Sequence, residues 1–287
     1  MNWMWWSLVM FFSSVIMYLI IRKSSLLKIP SQLNNLAMFF IPLWVYIILG
    51  LTTKANFSLN LSQLLITTGA AFLFSYLGNV ASLRSIEFAP NSGYSLVISK
   101  SYVVFTTIVA VLLFRAQLTT IKVVAILLIV IFSAMIMVTK KNINKDVKSS
   151  WLPLSFVSFF CWGMLSLTSK FLFNSGVNTF VFLSYAYFVV SSCIFTEIKS
   201  KKIMLGDIKM YLKILIPIGV LSTTFNLGQF EAIKSAPNVG YVNAINAASI
   251  SLVTVLSILL FKDEFNLRKV IGVFGVVTGL ILMFIKQ

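Results

Sequence analysis

The chain has 287 residues, 59% of them hydrophobic and only 10% charged, with 23 basic against 7 acidic side chains and a mean hydropathy of +0.97. A water-soluble domain carries about 25% charged residues, so this composition excludes a soluble globular fold. The +16 net charge sits in short links between apolar runs, which is a membrane charge bias and argues against a nucleic-acid partner.

Ten apolar runs follow one another, at about residues 3–21, 35–51, 61–83, 93–114, 119–139, 151–173, 179–196, 211–231, 240–261 and 267–285. Each approaches the roughly 20 residues that cross a bilayer core. Backbone within hydrocarbon must pair internally, which leaves helices or a closed barrel. Barrel strands alternate apolar and polar residues, whereas 123–138 is apolar almost throughout. The sequence therefore predicts an all-α membrane protein with ten transmembrane helices. No basic stretch precedes the first run, and Arg22 and Lys23 follow it, so it reads as a span and not as a cleavable leader. The longest polar links, 140–150 and 197–210, are too short for a soluble domain, and no G-x-x-x-x-G-K phosphate loop occurs.

Alternate links share a face of the membrane. One face collects 16 basic residues, among them Arg22, Arg84, Lys201 and Lys269, and the other collects 6, among them Arg115, Lys122 and Lys170. Basic links are retained in the cytoplasm, so the charge pattern puts both termini on the opposite side.

Self-similarity is the strongest signal. Residues 84–139 align with 231–286 at a constant offset of 147, and A-P-N-x-G-Y occurs in both, as Ala89–Tyr94 and as Ala236–Tyr241. Proline and glycine there form a tight break between spans, and the asparagine is placed to cap the next helix. The period divides the chain into two five-helix units, 1–141 and 142–287. Five is odd, so the second copy enters from the other face, giving two inverted repeats of the kind that bind solute near mid-membrane.

Polar side chains inside a membrane helix face protein or water. In the eighth run Ser222, Asn226 and Gln229 share one helical face, and subtracting 147 gives Ser75, Asn79 and Ser82 in the third. The ninth run carries Asn243, Asn246 and Ser249, the fourth Ser95, Ser99 and Tyr102, and the sixth Ser155, Ser158, Trp162, Ser166 and Ser169. From these stripes Ser75, Asn79, Tyr102, Trp162, Asn226, Gln229, Asn243 and Asn246 are the candidate substrate-binding residues. Helix–helix packing is the competing reading, and it is the expected one for Gly275-x-x-x-Gly279. Lys100, seven residues into the fourth run, completes the candidates: it either snorkels to the interface or stands in a cavity as a fixed positive charge. Cys161 and Cys193 have no paired spacing and there is no histidine, so neither a metal nor another cofactor is expected. Glu87 and Glu231 are the carboxylates considered for a proton path, with a Glu231–Lys234 surface pair the favoured alternative. The lack of mid-helix acids favours uniport, exchange or coupling through Glu231.

Three further segments carry a resemblance. Trp162-Gly163 followed by Lys170, the turn Ala236-Pro237-Asn238-Val239-Gly240, and Leu260-Phe261-Lys262-Asp263-Glu264-Phe265-Asn266-Leu267 resemble motifs of the drug/metabolite transporter superfamily, in particular its EamA-type ten-helix carriers. The first copy departs from them. Ser14 aligns with Trp162, Arg22 with Lys170, and Ala116 and Gln117 stand where the second copy has Asp263 and Glu264. The resemblance implies a transporter with both termini cytoplasmic, opposite to the charge pattern, so orientation stays open.

The expected function is a secondary transporter that moves a small polar metabolite, an amino acid or a related compound, by alternating access. Its expected partners are that small-molecule solute and membrane lipids, with a homodimer left open, in a bacterial cell inner membrane. A lipid-linked sugar flippase or a membrane partner subunit of the same fold is the alternative. A membrane-embedded transferase ranks below both, since it needs a histidine, an aspartate pair or a metal-binding acid cluster.

Overall fold

A computed structural model describes residues 2–89, 92–138, 149–203, 208–262 and 266–285. The break residues Pro90 and Asn91 and the acidic step Asp263–Glu264 lie outside the described residues. Among the described residues, ten helices are long and apolar enough to cross a membrane. They are α1 Trp3–Leu26, α2 Ser31–Thr52, α3 Leu61–Phe88, α4 Tyr94–Phe114, α5 Thr120–Met137, α6 Trp151–Asn174, α7 Thr179–Ser200, α8 Lys209–Ser235, α9 Val239–Phe261 and α10 Leu267–Phe284. Several outrun their apolar core by a turn, because at the interface a basic side chain can lay its stem on the helix and keep its charge in water.

Sequence chemistry explains the ends. Asparagine side chains cap α1, α3, α7, α9 and α10, and at α3 Asn60 and Gln63 form a reciprocal capping box. Just past helix ends, Lys28, Lys54, Arg115, Lys202 and Lys262 adopt left-handed backbone with φ between 48° and 57°. That conformation costs a residue with a Cβ about 1–2 kcal/mol. A cation beside a helix C-terminus returns about 0.3–1 kcal/mol, which makes a basic residue a workable stop signal there. Arg115 and Lys262 are 147 apart, so α4 and α9 end in the same way.

The main helix pairs are α1 with α8, α3 with α6, α2 with α7, and α5 with α10. Helix α9 lies centrally, against α1, α4, α5 and α10. Its first half is buried on every side, with 11 consecutive buried residues from Val239 to Ser249, the signature of a helix enclosed by others. Lipid-facing positions are the converse: Leu112 and Leu259, one repeat apart, are 73% and 70% exposed. The Gly275-x-x-x-Gly279 spacing lies in the α5–α10 pair, where Gly275 faces the Phe132 ring and Gly279 faces Ile129 and the Ala125 carbonyl. It serves packing within the chain.

Candidate functional site

Helix α3 is not uniform. Residues Ala70–Tyr76 form a π-helical segment between two α-helical stretches, a wider turn that recurs at functional sites. The insertion changes the register of a straight α-helix. Ser75 is buried within the π segment, while Asn79 reaches a cavity of about 370 Å³. Tyr76, Arg84 and Glu87 of α3, Gln32 and Asn35 of α2, and Glu197 and Lys201 at the end of α7 share that wall. It opens at the N-terminal end of α2 and the C-terminal ends of α3 and α7, which is the basic face. Glu197 pairs with Lys201 at 2.6 Å. Sequence reasoning singles out Glu87 and Glu231 and misses Glu197, although an acid four residues before a lysine at a helix end is a legible pairing signal. Glu231 lies 4.0 Å from Lys234, as the pairing alternative expects.

The α8 stripe has a different environment. Ser222 donates to the main-chain oxygen of Met38 in α2, and the Asn226 amide donates back to the Ser222 carbonyl at 2.8 Å and its hydroxyl at 3.1 Å. Tyr46 of α2 donates to the Thr223 carbonyl at 2.8 Å. Ser222 therefore stitches α8 to α2, and Asn226 is held on its own helix. Gln229, the next member, is half-buried.

Helices α4, α6 and α9 bring other candidates together. Asn243 is fully buried; its amide donates to the Thr106 hydroxyl at 3.1 Å and its oxygen accepts from Ser166 at 3.4 Å. One turn further along α9, Asn246 meets the hydroxyl of Tyr102. Trp162, a turn before Ser166, is half-buried, and its carbonyl accepts from the Ser166 hydroxyl. Nearer the basic face Ser155 donates to Ser95, which also contacts Ser85, so hydroxyls join α6, α4 and α3. Lys100 stands apart, between α4, α5 and α9, in a crevice of about 10 Å³ beside Ser133 and Ala247. That is about the space of one water, with no room for a solute.

A second cavity, of about 290 Å³, opens at the face that carries the termini. Its wall comes from the ends of α4 and α6 and from the α8–α9 turn, including Ala110, Arg115, Gln117, Lys170, Asn174 and Val239. The repeated hexapeptide builds much of this corner. Asn238 caps α9 by accepting from Gly240 N–H at 2.8 Å, and the Tyr241 hydroxyl donates to the Gln117 carbonyl at 2.7 Å. Gly240 presses on Thr107, leaving no space for a Cβ. The Lys170 ammonium donates to the carbonyls of Ile233, Lys234 and Ala236 at 3.1, 2.8 and 3.2 Å, closing the C-terminus of α8. Val239, Ala110 and Lys170 each lie four residues from Asn243, Thr106 and Ser166. The buried polar trio is thus the layer one helical turn beneath this cavity's wall.

Among the described residues there is no group of three or more His, Cys, Asp or Glu side chains able to hold a metal. Cys161 is free, packs its Cβ against Gly78 and donates weakly to the Leu73 carbonyl.

Among the described residues, ten helices long and apolar enough to span a bilayer surround a buried polar layer with a cavity toward each face, which defines a multi-pass membrane protein. Residues 149–285 match the EamA-like transporter family. That match places an EamA-like transporter domain in the second half of the chain. A solved crystal structure, described only as that of a protein, superposes with a TM-score of 0.75 over 97% of this chain and 97% of its own, at 16% identity. At that identity the likeness shows the fold alone. No curated protein matches the chain in sequence.

Proposed function

We propose that the protein is a secondary carrier that moves a small polar metabolite across a bacterial cell membrane by alternating access between two inverted five-helix units, 1–141 and 142–287. The observation that carries this reading is the Asn243–Thr106–Ser166 layer beneath the termini-face cavity. A fully buried amide bonded to two hydroxyls is a closed seam that can part. Its two hydrogen bonds are each worth about 0.5–1.5 kcal/mol net, so breaking them falls within the few kcal/mol that separate exchangeable conformers. The helix pairing supports two related units, since exchanging the halves turns the α1–α8 pair into α6–α3 and leaves α2–α7 and α5–α10 as they are. Asn79, with both charge signs and several amides around it, supplies the solute's contacts on the basic face. Gln229, Asn246 and Tyr102 lie along the path between the faces.

The test is uptake into proteoliposomes that contain only this protein, using a labelled panel of amino acids and other small polar metabolites. Saturable uptake of at least one solute, reduced by Asn79→Ala and by Asn243→Ala in protein that keeps its melting temperature, is the expected result. Movement of a lipid-linked sugar with no uptake of any water-soluble solute would overturn the reading.

A further inference from the structure

The termini-face cavity differs from the basic-face one in a way that concerns charge. Among the described residues its wall carries two cations, Arg115 and Lys170, and no carboxylate, whereas the basic-face wall holds Glu87 and Glu197 beside Arg84 and Lys201. Lys170 is spent: an ammonium has three N–H donors, and all three carbonyls it meets belong to the end of α8. Arg115 is exposed, and among the described residues no hydrogen bond or ion pair engages its guanidinium.

Helix ends act on the same space. The C-termini of α4, α6 and α8 each bring about half a negative charge and the N-terminus of α9 about half a positive one. Against the two cations this leaves the cavity at about one positive charge, centred on Arg115. The repeat shows that the balance is particular to the first copy. Arg115-Ala116-Gln117 corresponds to Lys262-Asp263-Glu264 at the offset of 147. The first copy lacks the two negative charges of the second in a link that lines a cavity, and it keeps the cation.

We propose that the termini-face cavity is an oxyanion-recognition site, in which Arg115 receives a carboxylate or phosphate group of a small solute and the Gln117 and Asn174 amides flank it. The planar guanidinium fork matches either oxyanion through two parallel N–H···O bonds. A cavity of about 290 Å³ takes a compact metabolite. The proposal rests on the transport reading for its biological meaning, but binding alone tests it.

The experiment measures thermal stabilisation of the purified full-length protein by succinate, inorganic phosphate and choline at matched ionic strength, since a ligand that binds the native state raises its stability by mass action. Succinate and phosphate separate the two oxyanion chemistries, and choline is the cationic control. At least one oxyanion is expected to stabilise saturably. Arg115→Gln should weaken that binding about tenfold or more, and Arg115→Lys less. The double variant Ala116→Asp/Gln117→Glu, which rebuilds the acidic step of the second copy, should abolish the oxyanion effect and favour choline. Stabilisation by neither oxyanion, or equal stabilisation in wild type and Arg115→Gln, overturns the proposal. Oxyanion binding that depends on Arg115 in a protein that moves no solute overturns the transport reading and leaves this one standing.

Discussion

The Ser222 hydroxyl donates a 2.7 Å hydrogen bond to the carbonyl of Met38, the residue four before Pro42 in α2. Proline has no N–H, so it cannot make the i→i−4 bond that would have used that oxygen. Ser222 supplies from α8 the donor that α2 lacks, in a medium with no water to do so. Ser222→Ala is expected to lower stability by about 1–2 kcal/mol, the cost of an orphaned buried acceptor. Pro42→Ala restores the missing N–H, so the same serine change made in that background should cost less than half as much. Reversible unfolding of the four proteins of this cycle in mixed micelles gives the coupling. Equal penalties in both backgrounds would break the link between the two residues.

A second cross-helix bond of this kind ties α5 to α10. Lys122 is 7% exposed, and its ammonium meets the carbonyls of Met283 and Ile285 at 2.7 and 2.8 Å, with Leu282 at 3.4 Å. These carbonyls lie at the C-terminal end of α10, where intrahelical donors run out. The pattern is the one Lys170 makes on α8, and Lys269 holds the position equivalent to Lys122 in the second copy. Replacing Lys122 by methionine keeps the stem and removes the donors. It should cost about 1.5–3 kcal/mol, as for hydrogen bonds to a charged group, and leave the apparent solute affinity unchanged. Melting temperature and proteoliposome KM measured together check this, and a KM change with intact stability would contradict it.

These bonds show what the sequence could and could not disclose. Hydropathy located all ten helices, because span length and apolarity are set locally by the bilayer. The A-P-N-x-G-Y repeat likewise revealed its turn, and Asn238 caps α9 as its chemistry suggested. The stripe Ser222–Asn226–Gln229 was visible too, but its purpose was not, since Ser222 answers a proline on another helix. In α3 the helical period assumed for Ser75 and Asn79 takes no account of the π segment, because nothing in the composition of Ala70–Tyr76 announces one. The cavity walls, to which Glu197 of α7 and Asn79 of α3 both contribute, depend on contacts between distant segments that no local pattern encodes.

The α1–α8 crossing gives a sharper test of packing. A Cβ on Gly228 would lie 2.9 Å from the Trp6 carbonyl oxygen and 2.9 Å from the Met10 nitrogen. Both are backbone atoms, so relief requires the helices to separate. Gly228→Ala should cost about 1–3 kcal/mol, as overpacking does. Gly69 offers the control, because a Cβ there meets nothing within 4 Å and the backbone is helical with φ −62°. Gly69→Ala should be neutral or stabilising by up to about 1 kcal/mol. Thermal unfolding of the two variants side by side decides the matter, and a Gly228→Ala protein as stable as Gly69→Ala would mean that the crossing tolerates separation.

The polar layer makes the last prediction, on motion instead of stability. Thr106→Val keeps the shape of the side chain and removes the oxygen that accepts from Asn243, a residue with no exposure at all. The orphaned amide destabilises the closed seam by about 1–3 kcal/mol. A conformer in which the seam has parted and water reaches the amide escapes that cost, so its population rises about tenfold for each 1.4 kcal/mol. Ala247, one turn below Asn243 on α9 and 5% exposed, reports on the opening. In a background with Cys161 and Cys193 replaced by serine, Ala247→Cys should react with a membrane-impermeant maleimide several-fold faster when Thr106→Val is also present. If the seam were packing alone, Thr106→Val would lower the melting temperature and leave the labelling rate where it was.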